Sequence, residues 1–313
     1  MRIGVDLGGT KIEAIALADD GTVRSRRRVP APRGDYRATV TAIRDLVAAT
    51  EAEADASGPV GVGIPGTISP ATGLIKNANS VWLIGHPLDR DLAEATSRPV
   101  RLANDANCFA LSEASDGAGT GYRTVFGAIL GTGAGSGIVV DGRPLVGPNA
   151  IAGEWGHNPL PWPQPDERPG PLCYCGKYGC QETFLSGTGL SLDFRTATGR
   201  DLDGPAIAAA AESGDPQAEA AMQRYEHRLA RGLAAILNVL DPDIVVLGGG
   251  LSNLERLYTN VPRLWGAFVF SDSVATPLRK NHHGDSSGVR GAAWLWPAGA
   301  DAGKAAFSSG RGA

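Results

Sequence analysis

One plan of strand, glycine-rich turn and strand occurs twice along this chain. Residues 2–17 read as two apolar strands around a turn at 6–11, and residues 124–140 repeat the pattern around a turn at 131–137. The match is limited to the turns and the apolar runs beside them, so the repeat is approximate. Such a repeat predicts two related α/β domains that face one another across a cleft.

A glycine-rich stretch at 117–121 predicts where the first domain ends. We therefore expect an N-terminal α/β domain over 1–119 and a C-terminal α/β domain over 120–288, the latter with a zinc-binding loop. A C-terminal helix near 289–297 is expected to join the first domain. Residues 298–313 are small and polar, and we expect them to be disordered.

Composition narrows the class of protein. The hydrophobic content of 42% and the charged content of 20% are those of a soluble globular protein. The net charge of -4 argues against a nucleic-acid partner, and no stretch is long and apolar enough to cross a membrane. The chain has four cysteines and starts without an apolar leader, so we expect a reducing compartment and a cytoplasmic protein.

Three glycine clusters, each directly after an apolar strand, indicate nucleotide binding. They lie at 6–11, 131–137 and 248–250. Glycines let backbone N–H groups approach phosphate oxygens, while Thr10 would add a hydroxyl donor, Lys11 a charge and Asp6 a ligand for magnesium. The alternative is that the clusters are ordinary glycine turns. The sequence contains no Walker A loop, and the glycines at 131–137 open a strand rather than the helix that a dinucleotide-binding motif requires.

One histidine and three cysteines can complete a tetrahedral zinc site, formed by His157, Cys173, Cys175 and Cys180. Four protein ligands leave no open coordination position, so the predicted zinc is structural. The alternative is one disulfide with a free thiol, or free thiols throughout, although alternate cysteines such as 173 and 175 are poorly placed to bridge each other. We expect Cys108, the fourth cysteine, to be a small buried hydrophobic residue.

Asp105 lies where a short strand runs into a helix. Aspartate is a common N-cap at such a position, which is the purely structural interpretation. The functional interpretation is a general base that takes the proton from a sugar hydroxyl as this oxygen attacks the γ-phosphate. The two roles are compatible. Glu154, His157 and Glu182 would hydrogen-bond a polyol, since a metal on one nitrogen of His157 leaves the other N–H free to donate.

Seven short sequence motifs resemble those of the ROK family of sugar kinases and repressors, and their joint occurrence is highly specific for that family. That family has the actin-like ATPase fold, a ribonuclease H-like α/β architecture. The stretches are 6–11, 63–66, 104–107, 131–135, 154–157, 173–182 and 247–250. The chain starts at its first strand, so we expect none of the helix-turn-helix segment that precedes the kinase domain in family repressors.

The resemblance implies a role for each matching residue. Asp105 would be the catalytic base, and the zinc ligands would be the histidine and cysteines named above. The sugar pocket would be formed by Gly66, Thr67, Asn79, Asn104, Asp105, Glu154, His157 and Glu182. Together with the glycine clusters, the predicted ATP-binding set is Gly4, Val5, Asp6, Leu7, Gly8, Gly9, Thr10, Lys11, Thr132, Gly133, Ala134, Gly135, Ser136, Gly137, Ile138, Val139, Val140, Gly248, Gly249 and Gly250.

Within the family, the segments 75–83, 153–162 and 283–294 are most similar to bacterial fructokinases of the manno(fructo)kinase type. The resemblance therefore predicts transfer of phosphate from Mg²⁺-bound ATP to D-fructose, by a homodimer with no nucleic-acid or membrane partner. The rivals are a mannokinase, a glucokinase, an N-acetylhexosamine kinase, a non-catalytic sugar sensor, and a zinc-stabilised binding module without a nucleotide. Sequence spacing alone does not determine which hexose hydroxyls are recognised.

Overall fold

The computed structural model describes residues 1–300, apart from the side chain of Asp285. The chain divides into two compact units. Unit 1 comprises Met1–Asp116, Pro144–Ala152 and the chain from Asp285, and unit 2 comprises Gly117–Arg143 and Gly153–Gly284. The sequence had placed the boundary at 119/120 and had assigned 144–152 to the second domain.

Unit 1 is built on a mixed five-stranded sheet with the order β3-β2-β1-β4-β7. β1 pairs antiparallel with β2 and parallel with β4, and β4 pairs parallel with β7. A separate two-stranded ribbon is formed by β5 and β6. The strands are β1 (Arg2–Leu7), β2 (Lys11–Leu17), β3 (Val23–Pro30), β4 (Val60–Ile64), β5 (Thr67–Ile68), β6 (Ile75–Lys76) and β7 (Val100–Asn104).

Four helices cover this sheet: α1 (Tyr36–Ala54), α2 (Leu88–Thr96), α3 (Asp105–Asp116) and α9 (Ser287–Trp294). α1 begins at the cap Asp35, whose carboxylate accepts the N–H of Ala38 at 2.9 Å. α9 packs directly on the strands, because a Cβ at Gly4 would overlap the carbonyl oxygen of Val289 and one at Gly61 that of Ala292. Two glycines thus allow α9 to pack closely against the strands of the sheet.

Unit 2 repeats the plan with the strand order β10-β9-β8-β11-β12. β8 and β9 are antiparallel, whereas β11 pairs parallel with both β8 and β12. The strands are β8 (Thr124–Leu130), β9 (Ala134–Val140), β10 (Arg143–Pro144), β11 (Ile244–Gly248) and β12 (Leu278–Lys280), and the helices are α4 (Glu182–Leu185), α5 (Gly187–Thr198), α6 (Gly204–Glu212), α7 (Pro216–Leu240) and α8 (Arg256–Trp265).

The long helix α7 supplies much of the core of unit 2 and also a buried ion cluster. Its start follows the sequence signals, since Asp215 caps the N–H groups of Gln217 and Ala218 and proline occupies the first helical position. Further along, Arg228 and Arg231 both bind the carboxylate of Glu167, at 2.8 and 2.7 Å, and both arginines are buried. Burial alone would raise the pKa of Glu167, but the hydrogen bonds from the two arginines lower it to about 2.

The correspondence of the two sheets confirms the predicted α/β fold class. In each unit an antiparallel hairpin is followed by two strands that extend the sheet in parallel, as the approximate repeat implied. At the C-terminus, 298–300 form a turn in which the N–H of Ala300 donates to Pro297. The rest of the tail predicted to be disordered, 301–313, lies outside the described residues. Among the described residues, no helix has the length and apolar character needed to span a bilayer.

Candidate active site

In unit 1, Asp6 and Asp105 come to the same end of the sheet. Asp6 lies near the end of β1, in register with Glu13 on β2 and Gly63 on β4. Burial, followed by the charges of Asp105 and Glu13, raises the pKa of Asp6 to about 7. The Asp6 carboxyl therefore takes up a proton more readily than an exposed aspartate, because burial and the neighbouring carboxylates both disfavour its charged form.

Asp105 is the first residue of α3 and its side chain is exposed. Its Oδ1 accepts the N–H of Ala106 at 2.8 Å, and Oδ1 of Asn104 accepts the same N–H at 2.9 Å. Asn104 therefore shares the capping role that the sequence had offered for Asp105 alone. An exposed carboxylate at a helix N-terminus can accept a proton from a hydroxyl that approaches from solvent.

The other predicted sugar residues of unit 1 lie around Asn104. Its Nδ2 is 3.4 Å from the carbonyl oxygen of Gly66. Gly66 has φ +149, and a Cβ there would lie 2.8 Å from the oxygen of Lys76 and 2.9 Å from Cβ of Ala78, so only glycine fits. Thr67 begins β5 beside it. The exposed Asn79 follows Ala78 directly, so these predicted residues occupy one corner of unit 1.

Only part of the predicted nucleotide-binding segment at 4–11, which includes the first glycine turn, is exposed. Gly9, Thr10 and Lys11 are exposed, and the N–H of Gly8 closes the turn on the oxygen of Lys11 at 3.0 Å. The remaining predicted residues, Gly4, Val5 and Leu7, are buried within the sheet. Polar contact with a phosphate is therefore limited to Asp6 and the turn at 8–11.

The second and third glycine clusters meet at one pocket of unit 2. The pocket has a volume of about 590 Å³, and Gly131, Thr132 and Gly250 contribute to its wall. Gly249 has φ +79, and a Cβ there would lie 2.6 Å from the backbone of Leu130, so glycine brings the two turns together. A cavity of this size is typical of small-molecule sites. Of the remaining predicted nucleotide residues in β9, the most buried are Ser136, Gly137 and Val139.

Sequence reasoning missed the opposite wall of this pocket. It is formed by residues along α5 and at the start of α6, which include Gly187, Thr188, Ser191, Leu192, Arg195, Asp203, Gly204 and Pro205. The sequence did contain a signal for the start of α5, because Ser186 is a favourable N-cap residue and small residues follow it at 187–189. The Ser186 hydroxyl accepts the N–H of Gly189 at 3.0 Å.

The predicted metal ligands come together in unit 2. Ligand atoms of His157, Cys173, Cys175 and Cys180 all lie within 4.8 Å of one another. The distance from Cys173 Sγ to His157 Nδ1 is 3.6 Å, and that from Cys175 Sγ to Cys180 Sγ is also 3.6 Å. A tetrahedral zinc would separate such atoms by about 3.6 Å and about 3.8 Å respectively. The donor set therefore fits a structural zinc, and the structure contains no disulfide among its four cysteines.

Tyr174, between two of these cysteines, was not predicted as a site residue. Its hydroxyl lies 2.8 Å from Nε2 of His157, and the two rings meet edge to face with centroids 5.0 Å apart. Burial, followed by the charge of Glu182, raises the pKa of Tyr174 to about 12. The hydroxyl is therefore neutral at pH 7 and can accept the N–H that a metal on Nδ1 would leave on Nε2.

The two predicted sugar carboxylates flank this cluster. Glu154 is exposed and precedes the 3₁₀ turn Trp155–His157, rather than an α-helical turn. Glu182 begins α4, two residues after Cys180, and its Oε2 accepts the N–H of Ala134 at 3.0 Å. Unit 2 thus brings a histidine, a tyrosine and two carboxylates together beside the glycine turn at 131–137.

These features agree with a comparison against known protein families. The model of the ROK family matches residues 2–298. The chain belongs to the ROK family. The resemblance predicted from the seven motif stretches is thereby confirmed.

Curated relatives of this ROK protein cover nearly the whole chain. One is an N-acetyl-D-glucosamine kinase of Citrobacter koseri, 42% identical over 299 residues, which include 94% of this chain and 99% of the relative. Another is an N-acetyl-D-glucosamine kinase of Escherichia coli O6:H1, 41% identical over 300 residues with the same coverage.

Solved structures of ROK proteins share the fold. The ROK hexokinase of Thermus thermophilus is 34% identical with a TM-score of 0.83, and the match covers 94% of this chain and 96% of that one. A ROK glucokinase of Streptomyces griseus, in complex with glucose and AMPPNP, is 28% identical with a TM-score of 0.76, covering 94% and 98%.

The chain is therefore a sugar kinase of the ROK family, an ATP-dependent phosphotransferase with the actin-like ATPase fold. The predicted fructose specificity is not confirmed, because the curated relatives described above are N-acetyl-D-glucosamine kinases.

Proposed function

We propose that this protein transfers the γ-phosphate of ATP to the 6-hydroxyl of N-acetyl-D-glucosamine. The observation that supports this substrate most directly is the 42% identity to an N-acetyl-D-glucosamine kinase along 99% of that enzyme. An N-acetylhexosamine kinase was among the alternatives that the sequence left open. Fructose, the sugar first predicted, now ranks behind it.

Asp105 would act as the general base. Its exposed carboxylate at the start of α3 can orient the 6-hydroxyl and take its proton as the oxygen attacks phosphorus. The nearby Asp6 has the burial and charge environment of a magnesium ligand. Bound Mg²⁺ would neutralise the charge on the β- and γ-phosphates.

His157, Glu154 and Glu182 would recognise hydroxyl groups of the hexose. With Nδ1 facing Cys173 Sγ, the ring of His157 can bind zinc on that side and donate from Nε2 on the other. Four protein ligands leave zinc without a position for water, so it would orient His157 and stabilise the loop without taking part in the chemistry. In unit 1, Asn104 and Asn79, with the backbone of Gly66 and Thr67, would contribute further contacts.

The pocket of unit 2 would accept the nucleotide. Two glycine turns form one wall and residues of α5 with the start of α6 form the other, so glycine backbone and the apolar side chains of Leu192 and Leu251 both line the pocket. The exposed turn at 8–11 in unit 1 would contribute contacts to phosphate. A homodimer remains our expectation from the family resemblance, and a cytoplasmic location remains our expectation from the composition.

A coupled ADP-release assay with Mg-ATP tests this proposal. The sugars are N-acetylglucosamine, N-acetylmannosamine, glucose, mannose and fructose, each over a full concentration range. The proposal predicts the highest kcat/KM for N-acetylglucosamine. A highest kcat/KM for fructose would restore the original prediction, and turnover of none of the five sugars would contradict a kinase for these hexoses.

A further inference from the structure

The glycine turn at 131–137 is fixed by the segment that follows the last predicted zinc ligand. Oε2 of Glu182 accepts the N–H of Ala134 at 3.0 Å, and the N–H of Gly187 donates to the oxygen of Gly131 at 2.7 Å. The first of these bonds is made to a carboxylate, and charge-assisted hydrogen bonds are roughly twice as strong as neutral ones. Glu182 therefore controls the position of one wall of the nucleotide pocket.

The contact between Glu182 and the turn leaves no room for another side chain. A Cβ at Gly133 would lie 2.7 Å from Oε2 of Glu182. On the other side, a Cβ at Gly156 would overlap the carbonyl oxygen of Ala134. Glycine at these two positions brings the turn, the carboxylate and the backbone next to His157 into direct contact.

The same carboxylate is also one of the proposed hexose ligands. The charge of Glu182 acts on Tyr174, whose hydroxyl lies 2.8 Å from Nε2 of His157. A carboxylate has about four acceptor positions on its two oxygens. With Oε2 bound to Ala134, Oε1 can still accept a hydroxyl from a sugar that binds beside His157.

We propose that Glu182 couples hexose binding to nucleotide binding, with Oε1 accepting a hexose hydroxyl while Oε2 positions the nucleotide turn through Ala134. This inference rests on the proposed function. A bound hexose would immobilise the carboxylate, so that less entropy is lost when the turn is ordered around the nucleotide. Hexose and nucleotide should then each strengthen binding of the other by the same factor. Glu182 is in this respect a positioning residue for the nucleotide.

The substitution Glu182→Gln separates the two bonds. A glutamine side chain has nearly the same shape but only one acceptor oxygen, while its NH₂ group can only donate. Its oxygen can still accept the N–H of Ala134, but its NH₂ group meets the hexose hydroxyl as a donor, and the negative charge that strengthened both bonds is gone. It should lose the coupling even where each ligand still binds alone.

The test measures the Kd of AMPPNP with Mg²⁺ by titration calorimetry, without and with saturating N-acetylglucosamine. We expect the sugar to tighten AMPPNP binding at least about fivefold in the wild-type protein. The ratio should fall below about twofold in Glu182→Gln, because the shared acceptor is gone. An equal ratio in both proteins would overturn the inference.

A pair of glycine variants provides the second measurement if Glu182→Gln fails to fold. Gly133→Ala adds a methyl group against the carboxylate and should lower the ratio, whereas a Cβ at Gly266, which follows α8 outside the proposed sites, meets nothing within 4 Å, so Gly266→Ala should keep it. Equal ratios in these two variants would contradict the inference. Wild-type protein that binds AMPPNP but no hexose would overturn the proposed function, whereas binding of both ligands without coupling would overturn this inference alone.

Discussion

The hydroxyl of Tyr174 lies 2.8 Å from Nε2 of His157, the nitrogen on the opposite side of the ring from Cys173. The side chain of Tyr174 is otherwise 76% exposed, so few contacts oppose its rotation. A hexose hydroxyl that accepts the same N–H has to replace this tyrosine. In the proposed hexose site, Tyr174 would therefore compete with the substrate for His157.

Replacement of Tyr174 by phenylalanine tests this competition. A hydrogen bond contributes about 0.5–1.5 kcal/mol net, so Tyr174→Phe should lower the KM for the hexose by at most about tenfold, with kcat nearly unchanged. Tyr178→Phe is the matched control, because Tyr178 is an exposed tyrosine in the same loop. An increase of KM in Tyr174→Phe alone would show instead that the hydroxyl contributes to hexose binding.

Replacement of Asp105 by alanine tests the base. Loss of general-base catalysis should lower kcat by roughly 10²–10⁴ while calorimetry still detects hexose binding. Asp45→Asn, at an exposed position of α1, should behave like the wild type. Turnover of Asp105→Ala at the wild-type rate would remove Asp105 from this role.

Removal of the metal tests the His157 and cysteine cluster. If the cluster holds zinc as predicted, its removal takes away a cross-link of the loop at 173–180, so hexose affinity and the unfolding temperature should fall more than nucleotide affinity. Metal content by mass spectrometry, melting temperature and the two Kd values are measured on the same chelated sample. Full hexose affinity in a sample verified as metal-free would contradict the predicted role of the metal.

The buried carboxylate of Glu167 predicts how stability depends on pH. Its pKa is lowered from 4.5 to about 2 in the folded protein, so its stabilising contribution is present above about pH 4.5 and is lost as the pH falls towards 2. Glu167→Gln should cost at most about 3–5 kcal/mol at neutral pH, because the buried Arg231 loses its carboxylate partner while Arg228 keeps its ion pair with Asp193.

Denaturant unfolding of Glu167→Gln between pH 7 and pH 3 measures both effects. The variant should lose less stability than the wild type on acidification. Glu212→Gln, an exposed position near the end of α6, is the control. Parallel stability curves for the wild type and Glu167→Gln would show that the ion cluster does not set the acid response.

Local sequence signals predicted the framework well. The glycine turns and the strands beside them depend on short-range rules of turn chemistry, which a sequence displays directly. The metal cluster was predictable for the same reason, since three of its four ligands lie within eight residues.

Contacts between distant residues were not predictable. Glu182 and Ala134 are 48 positions apart, and their hydrogen bond depends on how α4 packs beside the β8–β9 turn. Arg26 and Arg28 of β3 are largely exposed, yet both bind Glu13 of β2, which is 2% exposed, and no local sequence motif indicates this contact. The identity of the substrate was not predictable for the same reason, because it depends on which hydroxyl group contacts which side chain in three dimensions.

A competition experiment tests the central claim most directly. Equal concentrations of N-acetylglucosamine and fructose are mixed with limiting Mg-ATP and the enzyme, and the phosphorylated products are identified by ³¹P and ¹H NMR. The account predicts N-acetylglucosamine 6-phosphate as the main product, with formation abolished in Asp105→Ala. Fructose 6-phosphate as the main product, or phosphate on another hydroxyl of N-acetylglucosamine, would contradict it.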